Sequence, residues 1–289
     1  MSVIRLISLT LITMLCFAGN SVFCRLALRQ TSIDAASFTS VRLISGALML
    51  ILLVHARQRW QGIGAAQALK AGGNWVSASA LFVYASAFSF SYADMATGIG
   101  ALLLFGAVQA TMILTGLWRG ERLNRQQSAG LIMAFAGVVA ILSPGLDAPP
   151  IGSALLMLIS GVAWGVYSLR GRGVADPTGD TAGNFLRATP MSVLLSALLL
   201  THQQLDPQGV LYAVLSGAIT SGLGYAIWYA VLPQLTRTRA AAVQLSVPVL
   251  ASLAGALFVD EPITLSLLLT SSAVLGGIAL VVYGRRSTA

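Results

Sequence analysis

Covalent chemistry needs acids, imidazoles or thiols held within hydrogen-bond reach of one another, and this sequence spaces them apart. The nine carboxylates, Asp34, Asp94, Glu121, Asp147, Asp176, Asp180, Asp206, Asp260 and Glu261, all stand in or beside short polar connections, and His55 and His202 sit at the edges of such connections. Cys16 and Cys24 are eight residues apart, roughly 12 Å along a helix rising 1.5 Å per residue, too far for a disulfide. No glycine-rich phosphate loop ends in lysine, so ATP hydrolysis is not on this chain. The expectation is a protein that is not an enzyme and carries no metal and no cofactor.

The long apolar stretches hold groups suited to binding instead. Asn74, Ser77, Leu81, Tyr84, Phe88 and Ser91 recur at about 3.5-residue spacing, a polar and aromatic stripe on one helical face. Asn20, Gln109 and Gln244 are lone amides, and Trp164 and Tyr167 are aromatic residues at mid-stretch. Pro248 follows Gln244 on the same face and frees a backbone carbonyl. Asn20, Tyr84, Phe88, Gln109, Trp164, Tyr167 and Gln244 are therefore the candidate substrate-binding residues. A buried amide can equally act as glue between helices, worth about 0.6 to 2 kcal/mol. Gly217, Ser221, Gly224 and Trp228 read as a small-residue packing seam, and Trp75 and Trp118 as interfacial anchors.

The elements that must position these groups follow from composition. Of 289 residues, 56% are apolar and 9% charged, with mean hydropathy +0.82; soluble domains average roughly 25% charged. A soluble globular protein is excluded. Ten apolar spans are expected, at 6–28, 35–54, 73–91, 95–117, 126–142, 151–169, 181–200, 210–232, 240–259 and 265–283. The connections leave no room for a second folded domain, and the runs lack the alternation of a β-barrel. The first run continues through Val22 and Phe23 to Leu28, the length of a span rather than of a cleaved leader.

The net charge of +8 is explained by topology rather than by nucleic acid. Arg5, Arg57, Arg59, Lys70, Arg119, Arg122, Arg125, Arg170, Arg172, Arg237, Arg239, Arg285 and Arg286 all fall on one side of the ten-span map, thirteen of the seventeen basic residues. The positive-inside rule then puts both termini in the cytoplasm of a bacterial-type inner membrane. Arg42 and Arg187 remain inside spans, about seven residues from an end, which is costly in lipid. With Pro248 they are assigned a structural or gating role, although a guanidinium there favours a substrate bearing a carboxylate.

Rare charges also mark an internal repeat. Arg25 and Arg170, and Arg42 and Arg187, are each 145 residues apart, and Gly120-Glu121-Arg122-Leu123-Asn124 answers Asp260-Glu261-Pro262-Ile263-Thr264 at an offset of 140. The chain reads as one transmembrane domain, 1–289, made of repeat one (1–146) and repeat two (147–289). Five spans per repeat invert the second copy, giving a pseudo-two-fold axis in the membrane plane.

These segments resemble the drug/metabolite transporter superfamily, ten-helix EamA type. Phe17-Ala18-Gly19-Asn20 with Arg25 stands where that family reads Trp-Gly-x-Asn and a base. Trp164-Gly165-Val166-Tyr167 answers it in span six, and the Glu121 and Glu261 turns look like its Gly-Glu-x-Leu signature. Val108 stands where span nine has Pro248, so any hinge there is asymmetric. The fold implied is all-α, with ten transmembrane helices as two inverted five-helix repeats. The function implied is secondary transport of small metabolites by alternating access, with amino-acid export of the YddG type as the nearest subgroup. Small-molecule substrate and lipid bilayer are the expected partners, without nucleic acid or an obligate protein. Absent mid-span carboxylates point to facilitative or exchange transport. Efflux of lipophilic or aromatic cations through cation-π contacts is one alternative, and a membrane structural or sensing subunit without flux is another.

Overall fold

The computed structural model of the chain describes residues 2–60, 72–120, 122–143, 148–171, 173–235 and 237–283. Expectations on Lys70, Glu121, Asp147, Arg172, Arg285, Arg286 and the boundary between residues 146 and 147 lie outside the described residues, as do the side chains of His202 and Arg237.

Acids placed in loops by their sequence position turn out to start helices. Asp34 Oδ1 accepts the N–H groups of Ala36 and Ser37 at the start of α2 (Ala35–Trp60), which follows α1 (Val3–Gln30). Asn74 caps α3 (Trp75–Tyr92), which therefore begins two residues later than expected. The fourth span is α4 (Thr97–Trp118), and a capping box of Asn124 and Gln127 opens α5 (Arg125–Leu142). After α6 (Ile151–Arg170), Asp176 and Pro177 start α7 (Pro177–Leu198), and Asp206 and Pro207 start α8 (Pro207–Gln234). Each of these acids accepts a backbone N–H that the first helical turn cannot pair internally. The ninth span, α9, is built of two pieces, Arg237–Gln244 and Ser246–Phe258, and α10 (Leu265–Tyr283) completes the bundle. Among the described residues there is no strand.

Among the described residues, eight of the ten helices are long and apolar enough to cross a membrane. The other two, α3 and α7, are rich in hydroxyl and amide groups, and Ser77, Ser89, Ser91, Thr181, Asn184 and Ser192 on them are buried. Outward faces carry apolar residues such as Ile132, Phe135, Leu155, Ile159 and Leu268. Polar groups inside and aliphatic groups outside are what a helical bundle in lipid requires, because the hydrocarbon cannot satisfy a hydrogen bond.

The helices interlock between halves rather than stacking as two separate bundles. α1 packs on α8 and α9, while α6 packs on α3 and α4; α2 packs on α7 and α8, and α7 on α3; α4 meets α9, and α5 meets α10. Exchanging α1–α5 with α6–α10 maps this set of pairs onto itself. The architecture is two inverted five-helix repeats, and with five spans in each, residues 3 and 283 lie at one face, called here the termini face.

Two local irregularities bear on the centre. The middle of α8, Leu215–Leu223, is π-helical, a widening common at functional sites. There Gly217 lies directly on the Arg42 carbonyl and the Ser45 side chain, an approach no Cβ would permit. In α9 the break falls at Leu245, three residues before Pro248, whose missing N–H removes the bond to the Gln244 carbonyl.

Candidate functional site

Three cavities lie at different depths of the bundle. At its centre, a chamber of about 20 Å³ is lined by Phe17, Asn20 and Ser21 of α1, Tyr84 and Phe88 of α3, Leu104 and Phe105 of α4, Trp164 of α6, and Thr220, Ser221 and Tyr225 of α8. That volume holds about one water molecule. At the termini face, a crevice of about 50 Å³ runs among Asn74, Ser77, Tyr167, Arg170, Asp180, Asn184 and Tyr229. At the opposite face, a vestibule of about 270 Å³ is lined by Arg25, Arg29, Ala96, Gly98, Ser252, Glu261 and Thr264.

The chamber wall is a continuous set of rings. Trp164 lies 4.8 Å from Tyr84, 5.1 Å from Tyr225 and 5.4 Å from Tyr167, centroid to centroid. Phe17 meets Tyr225 edge-on at 5.8 Å, and Phe88 lies 5.6 Å from Tyr84. Rings from α1, α3, α6 and α8 converge only because both repeats contribute, and the Ser160 hydroxyl pins α6 to the Tyr84 carbonyl at 2.9 Å.

A polar chain runs behind these rings. Arg42 Nη2 donates to the Tyr84 hydroxyl at 3.0 Å, and Asn20 Nδ2 donates to the same oxygen at 3.2 Å. Asn20 Oδ1 in turn accepts from Ser216 at 2.6 Å and from Thr220 at 3.4 Å, both in the π-helical segment. Arg42 is 1% exposed, with its guanidinium carbon 4.9 Å from the Phe88 ring centroid and 5.2 Å from that of Tyr84.

Polar clasps occupy both ends. Towards the vestibule, Arg25 Nε donates to Glu261 Oε1 at 3.0 Å and Arg25 Nη1 donates to the Tyr92 and Ala93 carbonyls, while Glu261 Oε2 accepts the Thr97 N–H at 2.7 Å. Towards the termini face, Arg170 donates to Ser77 Oγ and Asn74 Oδ1 at 3.1 Å each, and Arg57 is paired with Asp176, at 2.6 Å for the shorter contact. Asp176 stands in the connection ahead of α7, and the Arg57 guanidinium holds its carboxyl below the usual carboxylate range. Among the described residues no group of three or more His, Cys, Asp and Glu side chains is placed to hold a metal ion.

Of the sequence-derived candidates, Asn20, Tyr84, Phe88 and Trp164 meet at the chamber. Tyr167 stacks on Trp164 but lines the termini-face crevice, where its hydroxyl meets Thr181 at 3.4 Å. Gln109 is buried on α4 and lines none of the three cavities, and neither does Gln244, at the break in α9. Pro248 is buried beyond that break. Arg187 Nη1 is bound to the carbonyls of Gly72 and Gly183 at 2.7 and 2.9 Å, which ties the segment ahead of α3 to α7. The pair related by 145 residues thus divides: Arg42 faces rings at the centre and Arg187 caps backbone nearer an end.

Phe17, Ser21, Thr220, Ser221 and Tyr225 are chamber residues that helical periodicity did not single out. Ser221, read as part of a packing seam, lines the chamber because the π-helical turn changes the phase of α8. Tyr225 had one usable signal, an aromatic residue at mid-span, the same that pointed to Tyr84 and Trp164.

Comparison with known proteins follows the same two halves. The model of the EamA-like transporter family matches twice, over residues 4–143 and 151–283. An uncharacterised protein of Pseudomonas aeruginosa is 55% identical over 283 residues, covering 97% of this chain and 96% of its own. A probable amino-acid metabolite efflux pump of Salmonella typhimurium is 26% identical over 66% of this chain and 69% of its own. A protein of known crystal structure shares the fold, with TM-score 0.66 at 19% identity over 95% of this chain and 97% of that one.

Proposed function

The chain belongs to the EamA-like transporter family, and on that premise we propose that this integral membrane transporter exports amino acids, aromatic ones among them, by alternating access of the central chamber. The observation that carries the reading is the chamber itself. Rings from both repeats and the Asn20 amide enclose it, and a separate opening lies towards each face. At about 20 Å³ the chamber is far smaller than the roughly 300 Å³ or more of a small-molecule pocket. A substrate therefore enters only when the ring cluster separates, and inverted repeats allow it to separate towards either side with similar energy.

Asn20, Tyr84, Phe88 and Trp164 form the binding wall in this reading. Gln109, Tyr167 and Gln244 contribute as the repeats move, and Arg187 and Pro248 act in gating. The chain works as one transmembrane domain with its repeat boundary at 146/147 and both termini in the cytoplasm of a bacterial inner membrane. Relatives named as probable amino-acid metabolite efflux pumps support the substrate class. No covalent step is involved, and the work is binding and shape change.

Reconstitution into liposomes tests it. Vesicles loaded with unlabelled phenylalanine should exchange it for external labelled phenylalanine, and Tyr84→Ala and Trp164→Ala should lower that exchange while staying monodisperse. Absence of flux for every amino acid tried would favour a structural or sensing subunit. Flux of lipophilic cations alone would favour drug efflux.

A further inference from the structure

We infer that the central chamber takes its substrate by a carboxylate, with Arg42 supplying the balancing charge and the hydroxyls of Tyr84 and Ser221 and the Asn20 amide forming the cradle. The inference rests on the transport reading and narrows it to substrates bearing an anionic head.

The unbalanced charge is the first observation. Arg42 lies in the middle of the bundle with 1% exposure, and among the described residues Nη2 alone of its nitrogens has a partner; Nε and Nη1 are buried without one. A guanidinium keeps its proton under all ordinary conditions. The titratable groups that interact with it are Tyr84 and Tyr225, on α3 and α8, and Cys24, on α1, phenols and a thiol that are ordinarily neutral at pH 7. No carboxylate lines the chamber, and none pairs with Arg42 among the described residues. An isolated buried cation is costly unless a counter-charge arrives. Other arginines of the bundle are already engaged: Arg25 with Glu261, Arg57 with Asp176, and Arg187 with backbone carbonyls.

The direction of the hydrogen bonds is the second. The Tyr84 oxygen accepts from Arg42 and from the Asn20 amide, two groups that can only donate through those nitrogens. With its lone pairs occupied, the phenol has its own proton left to give, shared at rest with the neighbouring Tyr225 hydroxyl and available to a ligand oxygen in the chamber. Ser221 Oγ, 1% exposed and on the chamber wall, has no partner among the described residues. The wall therefore offers donors backed by a positive charge and no acid, while Trp164, Tyr225 and Phe17 provide an apolar side for the remainder of the ligand. An ammonium or other cation would meet the rings but also Arg42, and the like charge disfavours it.

The test uses the full-length protein purified in detergent, with thermal unfolding followed against concentration of four ligands that share one ring: phenylalanine, 3-phenylpropionate, phenylalaninamide and phenethylamine. A ligand that binds only the folded state raises the midpoint in proportion to its occupancy. Phenylalanine and 3-phenylpropionate should bind at least tenfold more tightly than phenylalaninamide and phenethylamine. In Arg42→Gln that ratio should fall at least tenfold, and Arg42→Lys, which keeps the charge, should retain a preference for the acids. If wild-type protein binds the four without regard to the carboxylate, the inference is overturned even if no Arg42 variant folds. The same holds if folded Arg42→Gln keeps the full preference. If none of the four binds, the amino-acid reading fails first and this inference falls with it.

Discussion

Glu261, in the turn after α9, accepts the backbone N–H of Thr97 at 2.7 Å, so the signature turn of one repeat caps the first residue of α4 in the other. Its second oxygen holds Arg25 at 3.0 Å, and Glu261 is 9% exposed. One carboxylate thus ties α1, α4 and α9 together beside the vestibule.

Removing that carboxylate should loosen the face opposite the termini. Glu261→Ala leaves the buried Thr97 N–H without its acceptor and Arg25 without its counter-charge, held only by the Tyr92 and Ala93 carbonyls, and loss of one partner of a buried pair costs about 3 kcal/mol or more. With a cysteine at Ser21 on the chamber wall, an impermeant thiol reagent applied from that face should react faster in Glu261→Ala than in Glu261→Gln, which keeps an acceptor for Thr97. Equal rates would show that the clasp does not restrain opening.

The backbone of the same turn allows a second prediction. Gly120 has φ +89° and Asp260 has φ +55°, the equivalent positions at the offset of 140, so both signature turns pass through the left-handed region. Aspartate pays a steric cost there that glycine avoids, about 1 kcal/mol, partly offset by glycine's greater loss of freedom on folding. Asp260→Gly should leave the thermal midpoint unchanged or slightly raised, whereas Asp260→Val should lower it.

The Tyr84 hydroxyl joins Arg42 to Asn20. Tyr84→Phe keeps the ring stack with Trp164 but leaves two buried donors without an acceptor, at about 1 to 3 kcal/mol. Stability should fall by that amount, and the Asn20→Ala and Tyr84→Phe effects should be non-additive in a double-mutant cycle. Additive losses would mean that the contact carries no energy.

Acid should weaken the Arg57–Asp176 link at the termini face. The Asp176 carboxyl is held below its ordinary value by Arg57. A depressed carboxylate contributes stability above its unfolded pKa and loses it as pH falls through the lower folded one. Both partners are 43% exposed, so the contribution is within about 1 kcal/mol. Asp176→Asn should lower stability slightly at pH 7, and the difference from wild type should shrink as pH falls below about 4.

Orientation and coupling are tested in membranes. In a background lacking Cys16 and Cys24, Gln208→Cys should react with an impermeant reagent added outside intact cells and Arg119→Cys should not. In vesicles with the membrane potential clamped, a pH step at equal internal and external substrate should produce no accumulation, because the chamber wall carries no carboxylate or imidazole.

The sequence alone determined the span count, the all-helical class and the presence of two copies. These depend on local quantities: the length of apolar runs, the period of a helical face, and the offset between rare residues such as Arg42 and Arg187. It also picked Asn20, Tyr84, Phe88 and Trp164: an amide at mid-span is costly in lipid and so turns inward, Tyr84 and Phe88 share one polar helical face, and Tyr84 and Trp164 lie away from the interfacial belts. What only the tertiary structure decided is which of the inward groups meet. The π-helical turn of α8 moved Ser221 from a packing seam to the chamber wall, a change of phase that no 3.6-residue pattern contains. Arg42 and Arg187 are equivalent by offset, yet one meets rings and the other carbonyls, since their surroundings come from helices distant in sequence. Glu261 likewise reads as a loop acid until α4 is packed beside α9 and its orphan N–H at Thr97 comes within reach.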